Sequence, residues 1–213
     1  MTSSDKALNL LNLLEEIHPE AECALNYTNA WQLLVATILS AQCTDIRVNQ
    51  VTQELFRQFS GPQQLAVADL GQVETVIRST GFFRNKAKNL IRCSEQLLQL
   101  HGGQVPGTLD QLVALAGVGR KTANVVLGNA YQVPGMVVDT HVKRLSRRFG
   151  WTKANDPVVI ERELCRLLPA ERWTQAAHTL IAHGRAFCKA PTPLCSTCPI
   201  VNICPRIGVN KSR

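Results

Sequence analysis

Apolar residues return every three or four positions along almost the whole chain, and that spacing predicts helices. In SSDKALNLLNLLEEIHP the leucines keep helical register behind a Ser/Asp start, and Pro19 stops the run. NAWQLLVATILSAQ sets Trp31, Leu34, Val35, Ile38 and Leu39 on one face. Its other positions are also largely apolar, so this helix is expected to be buried all round. DIRVNQVTQELFRQF runs to a stop at Gly61-Pro62, LGQVETVIRSTG closes on Gly81, and RNKAKNLIRCSEQLLQL ends at Gly102-Gly103. TLDQLVALAG, RKTANVVLGNAY, THVKRLSRRFG, DPVVIERELCRLLP and ERWTQAAHTLIAHGRAF complete about ten helices. GMVVD is β-branched but too short to argue for a sheet, so the predicted class is all-α. The chain is expected to cross between two lobes in YQVPGMVVD, around Pro134 and Gly135. No repeat or low-complexity tract appears, and GVNKSR reads as a frayed basic tail.

Charge narrows the class. The net charge is +7, but residues 1–106 carry 8 Lys/Arg and 10 Asp/Glu, against 15 and 6 in residues 107–213. A basic half fits a polyanion such as nucleic acid, and it also fits a solubility surface. No run of 18 apolar residues offers a membrane span, and the acidic, amphipathic N-terminus is unlike a signal peptide. A cytoplasmic protein acting without a membrane is the expectation.

Eight cysteines divide into two sets. Cys23, Cys43, Cys93 and Cys165 are scattered and read as small buried hydrophobes. Cys188, Cys195, Cys198 and Cys204 crowd into CKAPTPLCSTCPIVNIC, with six, two and five residues between them. In a cytoplasmic chain this cluster points to metal rather than disulfides. Zinc is the generic candidate, although zinc sites usually show two close pairs and only Cys195 and Cys198 form one.

LAGVGRKTANVV lies between two helical patterns. Gly117 and Gly119 can both take positive φ and let another backbone approach closely. The helix that follows opens with N–H groups that have no intrahelical partner, an anion site ready for a phosphate. An ordinary tight helix connection has the same composition. The basic pair Arg120-Lys121 and the basic C-terminal half favour phosphate, and Lys121 reads as a phosphate contact on these grounds.

These residues resemble the helix-hairpin-helix of the endonuclease III family of DNA repair glycosylases. That family usually reads Leu-Pro-Gly-Val-Gly before Arg-Lys-Thr-Ala; here Ala116 stands in place of the proline. The resemblance spans roughly residues 20 to 205 and implies a two-lobed all-α fold. One lobe is a helical barrel carrying the hairpin (22–133), and the other is an iron–sulfur domain (134–213 with the N-terminal helix, 1–21). The DNA groove lies between them. It implies that Lys121 is the nucleophile, because an amine gives the iminium that acidifies the neighbouring sugar proton. A helix N-terminus disfavours an ammonium by only about 0.3–1 kcal/mol, so a nearby base has to take a proton.

VVDTHVKR carries the second signature. The resemblance makes Asp139 the carboxylate that activates Lys121 and stabilises the cationic sugar, while its position also suits a helix N-cap. His141 is a DNA contact or a surface histidine, and Lys143, Arg144, Arg147 and Arg148 read as a solvated basic face. By the same resemblance the four clustered cysteines hold a structural [4Fe–4S] cluster, and the preceding HGRAFC also matches. Lys189 and Arg206 are placed to face phosphates. LSAQCTD and GFFRNKA match two gap-filling segments, with Gln42 as the plug and Phe82 as the wedge of a base-flipping enzyme. Phe82 reads equally as a core aromatic, and Asp45 as a helix cap.

The implied activity is removal of oxidised pyrimidines from damaged double-stranded DNA, followed by strand nicking at the abasic site, by a monomer. The related adenine-removing branch uses an early glutamate in the helix that here reads LLVATILSAQ, which has none. Mismatch-thymine enzymes typically carry tyrosine where this chain has Lys121. A non-catalytic DNA-binding scaffold would need neither Lys121 nor Asp139.

Overall fold

The computed structural model describes residues 3–213. Every regular element among them is helical. They divide into two compact units, Cys23–Val133 on the one hand, and the residues through Glu22 with Pro134–Arg213 on the other.

The first unit is built around α2 (Ala30–Leu39). Asn29 caps it by accepting from the Gln32 N–H at 2.9 Å, and everything from Leu33 to Leu39 is buried, as an all-round apolar helix requires. α3 (Asp45–Gln58), α6 (Phe83–His101) and α8 (Arg120–Ala130) pack on it, with α5 (Leu70–Ile77) against α3 and α6 and α7 (Leu109–Val113) against α8. Thr44 caps α3, so Asp45 is the first residue of that helix and not its cap. The sequence reading takes Gly61-Pro62 only as a stop. The structure starts a further short helix there, α4 (Pro62–Ala66), with Pro62 in the first turn, where its missing N–H costs nothing. α7 is only five residues long, shorter than its apolar pattern suggests. One core joins Leu34, Leu55, Ile77, Leu90, Leu97 and Leu127. Cys93 is inside it, and Cys23 and Cys43 pack on its edge.

In the second unit α1 (Ser3–Ile17) buries Ala7, Leu10, Leu11 and Leu14. It packs on α10 (Pro157–Leu167) and α11 (Trp173–Ala186), and α11 also packs on α9 (Thr140–Arg148). GMVVD forms no strand among the described residues, and Met136 and Val137 are buried. No described helix is long and apolar enough to cross a membrane.

Candidate functional site

The hairpin joins α7 to α8 through residues 114–119. Gly117 has φ +76°, and a Cβ there would lie 2.9 Å from Asn89 Cβ, so both backbone angle and space demand glycine. Gln96 fixes the turn by accepting from the Ala116 N–H at 2.7 Å. Gly119 corrects the sequence reading: its φ is −91°, outside the left-handed region. It is the N-cap of α8, with no side chain to cover the first amides and nothing within 4 Å of where a Cβ would stand. What this glycine contributes is open space at the positive end of a helix. Arg120 and Lys121 follow in the first turn, both exposed.

Three non-glycine residues of the same unit lie in the left-handed region: Gln42, Phe82 and, after α8, Gln132. After α2 the chain turns through Ser40, whose N–H reaches the Ala36 carbonyl at 2.9 Å, and Cys43 N–H returns to the Ser40 carbonyl at 3.1 Å. Gln42 at the tip has φ +53° and is exposed. After α5 a short 3-10 turn, Arg78–Thr80, leads through Gly81 to Phe82 at φ +47°. Phe82 is 66% exposed and so is not a core aromatic. Its neighbour Phe83 packs on the core, with the Arg78 and Arg84 guanidinium carbons 5.9 and 5.5 Å from its ring centroid. Left-handed backbone at non-glycine residues persists only where the surroundings enforce it, and it concentrates at functional loops.

Asp139 belongs to the second unit. It is half-buried and is the N-cap of α9, its Oδ1 accepting from the Val142 N–H at 2.8 Å. His141 is half-buried, with Nδ1 3.0 Å from Arg144 Nη2, and burial lowers its pKa against the opposing pull of Asp139. Gly184 lets α11 come this close, since a Cβ there would lie 2.6 Å from His141 Nδ1. The basic residues of α9 do not form one solvated face. Arg144 Nε donates to the Cys188 carbonyl at 2.9 Å. Arg148 Nη1 reaches Cys188 Sγ at 3.1 Å and the Lys189 carbonyl at 3.0 Å, and Nη2 reaches Pro191. One helical turn apart, the two arginines share a stripe of α9 that faces the cysteine loop. Arg147 is exposed and donates to Asn155. Lys189 and Arg206 are exposed as well.

All four clustered cysteines line one small pocket, with Phe149, Phe187, Leu194 and Ile200 among its walls. Among the described residues no three His, Cys, Asp or Glu side chains are grouped to hold a metal ion. Thiolates are the ligands an iron–sulfur cluster takes, and four of them line this one pocket. Burial pushes the Cys198 and Cys204 thiols up, a cost that coordination to iron would reverse. His183 Nε2 lies 3.5 Å from Cys198 Sγ, and His183 Nδ1 lies 3.1 Å from His18 Nε2 on the chain segment after α1. The donor set therefore fits an iron–sulfur cluster.

The family model of the HhH-GPD superfamily base excision DNA repair proteins matches residues 35–170, and endonuclease III of Synechocystis sp. is 48% identical over 205 residues, 96% of this chain and 94% of that protein. The chain belongs to the endonuclease III family. It is accordingly a base-excision repair enzyme, a DNA glycosylase and abasic-site lyase. Endonuclease III of Bacillus subtilis is 44% identical over 91% of this chain and 89% of its own. A solved structure described as a trapped endonuclease III–DNA covalent intermediate in an estranged-adenine complex superposes with a TM-score of 0.92, at 39% identity and 97% coverage of both chains. The span matched by the family model takes in Gln42, Phe82, the hairpin and Asp139 and ends before the cysteines, which the longer alignment takes in. Sequence reasoning missed the inward roles of Arg144 and Arg148 and the His18–His183 pair. The match of HGRAFC to the family was the available signal for His183.

Proposed function

We propose that this endonuclease III family member removes oxidised pyrimidines, of the thymine glycol type, from duplex DNA through a Schiff base on Lys121. The Lys121 amine attacks C1′ of the lesion nucleotide, the bond from C1′ to the base breaks, and the base leaves with the electron pair and takes up a proton. The C1′–O4′ bond then breaks, O4′ takes up a proton, and the opened sugar is an iminium of Lys121. Loss of a C2′ proton breaks the C3′–O bond and expels the 3′ phosphate, and water frees the lysine. Asp139 accepts the amine proton and stabilises the cationic sugar, with its cap bond to Val142 holding the carboxylate in orientation.

Phosphate oxygens bind at the open N-terminus of α8, with Gly117 shaping the turn, Gly119 leaving it uncovered and Arg120 beside it. Gln42 and Phe82 occupy the space of the extruded nucleotide, and His141 contacts the DNA next to it. Cys188, Cys195, Cys198 and Cys204 hold a [4Fe–4S] cluster, which would act as a covalent cross-link that shapes the C-terminal loop. The two units correspond to a helical-barrel domain and a cluster domain, and the enzyme works as a monomer on chromosomal DNA in the cytoplasm.

The observation that carries this reading is an exposed lysine in the first turn of α8, directly after a glycine N-cap, in a chain whose solved relative is described as a covalent intermediate with DNA. The test is borohydride trapping on a thymine glycol duplex, with Lys121→Ala in parallel. The expected result is a covalent adduct that the variant does not form. Base release without an adduct would overturn the amine mechanism. The absence of both base release from the lesion and an adduct at a plain abasic site would leave a scaffold that binds without chemistry.

A further inference from the structure

Lys86 is a lysine inside the core of the first unit, only 5% exposed. Its Nζ donates to the Leu39 carbonyl and to the Thr80 carbonyl, both at 2.8 Å. Burial lowers its pKa, and Cys43 acts in the opposite sense. A buried amine is costly unless its protons are used, and here the acceptors explain its presence. Leu39 is the last residue of α2, and Thr80 is the last residue of the 3-10 turn. Carbonyls at helix ends lack intrahelical donors and carry the negative end of the helix dipole. One cation therefore satisfies two such ends together.

What leaves those two ends is the decisive feature. Three residues after Leu39 stands Gln42, and two residues after Thr80 stands Phe82, both exposed and both with positive φ. We propose that Lys86 is a positioning residue that ties the two loops together, so that Gln42 and Phe82 enter the duplex in register when a lesion is extruded. This inference rests on the gap-filling role given above to those two side chains. Lys86 touches neither DNA nor the reacting atoms. It acts by fixing where two loops begin, so that their tips arrive already arranged.

The experiment compares Lys86→Met with the parent protein in two readouts. The first is amide hydrogen exchange. Exchange in residues 41–44 and 81–84 is expected to rise together by about tenfold, while that of residues 117–122 is unchanged. The second is single-turnover base release from a thymine glycol duplex, expected to fall about tenfold or more from a paired lesion, and by much less from one in an unpaired bubble. In a Gln42→Ala/Phe82→Ala background the same substitution is expected to add no further loss, because the residues it positions are gone.

Exchange that rises in one loop only, or across the whole unit, would overturn the proposal, as would a full additional loss in the double-variant background. If Gln42→Ala/Phe82→Ala alone leaves base release unchanged, the gap-filling role itself is wrong, and the proposal falls with it. Should Lys86→Met fail to fold, Lys86→Arg keeps the charge while altering the reach to both carbonyls, and the same two readouts apply with the same deciding outcomes.

Discussion

Arg148 holds Cys188 by both its sulfur and its backbone, with Nη1 3.1 Å from Sγ and 3.3 Å from the carbonyl oxygen. A guanidinium donating to a sulfur stabilises its thiolate state, the form the proposed cluster would take, and its bonds to Lys189 and Pro191 shape the loop beyond it. Removing it takes this donor from the Lys189 and Pro191 carbonyls and from the Cys188 sulfur. Arg148→Met is expected to cost about 2 kcal/mol in the loop and to lower the iron and labile sulfide recovered per chain. Measuring both on purified protein checks this; undiminished iron content would contradict the role.

The two hairpin glycines should separate stability from binding. Gly117→Ala places a side chain in left-handed backbone and against Asn89, and is expected to destabilise the fold by about 2–4 kcal/mol. Gly119→Ala meets no atom and keeps an ordinary φ, so its stability cost is expected to stay within about 1 kcal/mol. Its methyl narrows the open end of α8, so affinity for abasic-site duplex should fall several-fold. Denaturant midpoints and a binding titration on both variants decide the matter.

Substitution can divide the cap bond of Asp139 from its proposed role as proton acceptor. Asparagine caps a helix about as well as aspartate, so Asp139→Asn is expected to keep the melting temperature close to the parent value. Base release should nonetheless drop by about 100-fold or more, since the amide accepts no proton. Asp139→Ala should lose both, with about 1 kcal/mol of stability gone. Equal activity in the asparagine variant would reduce Asp139 to a cap.

Burial lowers the pKa of His178, with Glu22 opposing. A histidine whose folded pKa lies below its unfolded value of 6.5 favours the folded state fully above that value. The contribution disappears as pH falls from 6.5 through the folded pKa. Denaturant midpoints taken at about pH 7.5 and about pH 5 should therefore fall more steeply for the parent than for His178→Gln. Equal slopes would remove His178 from the acid sensitivity.

The hairpin and the cysteine loop were legible in the sequence because their chemistry is local. A glycine turn before a basic pair, or four cysteines within seventeen residues, needs no distant partner to be noticed. Orientation was not legible. Phe82 and Phe83 are identical in type and adjacent, and only the left-handed backbone at Phe82 turns one outward and the other onto the core. Arg144 and Arg148 looked like part of a basic face because the loop that captures them lies some forty residues further on. Lys86 was unreadable for the same reason, since a lysine is buried only where tertiary structure supplies acceptors.

The apolar face of α1 is covered by α10 and α11, which lie roughly 140 residues later in the chain. During synthesis the Cys23–Val133 unit has all its own helices well before α1 has any of its partners. A nascent chain therefore carries Leu10, Leu11 and Leu14 uncovered while the middle unit is already complete. The segment bearing the four cysteines emerges later still, so the proposed cluster would be assembled on a chain whose middle unit has already been synthesised.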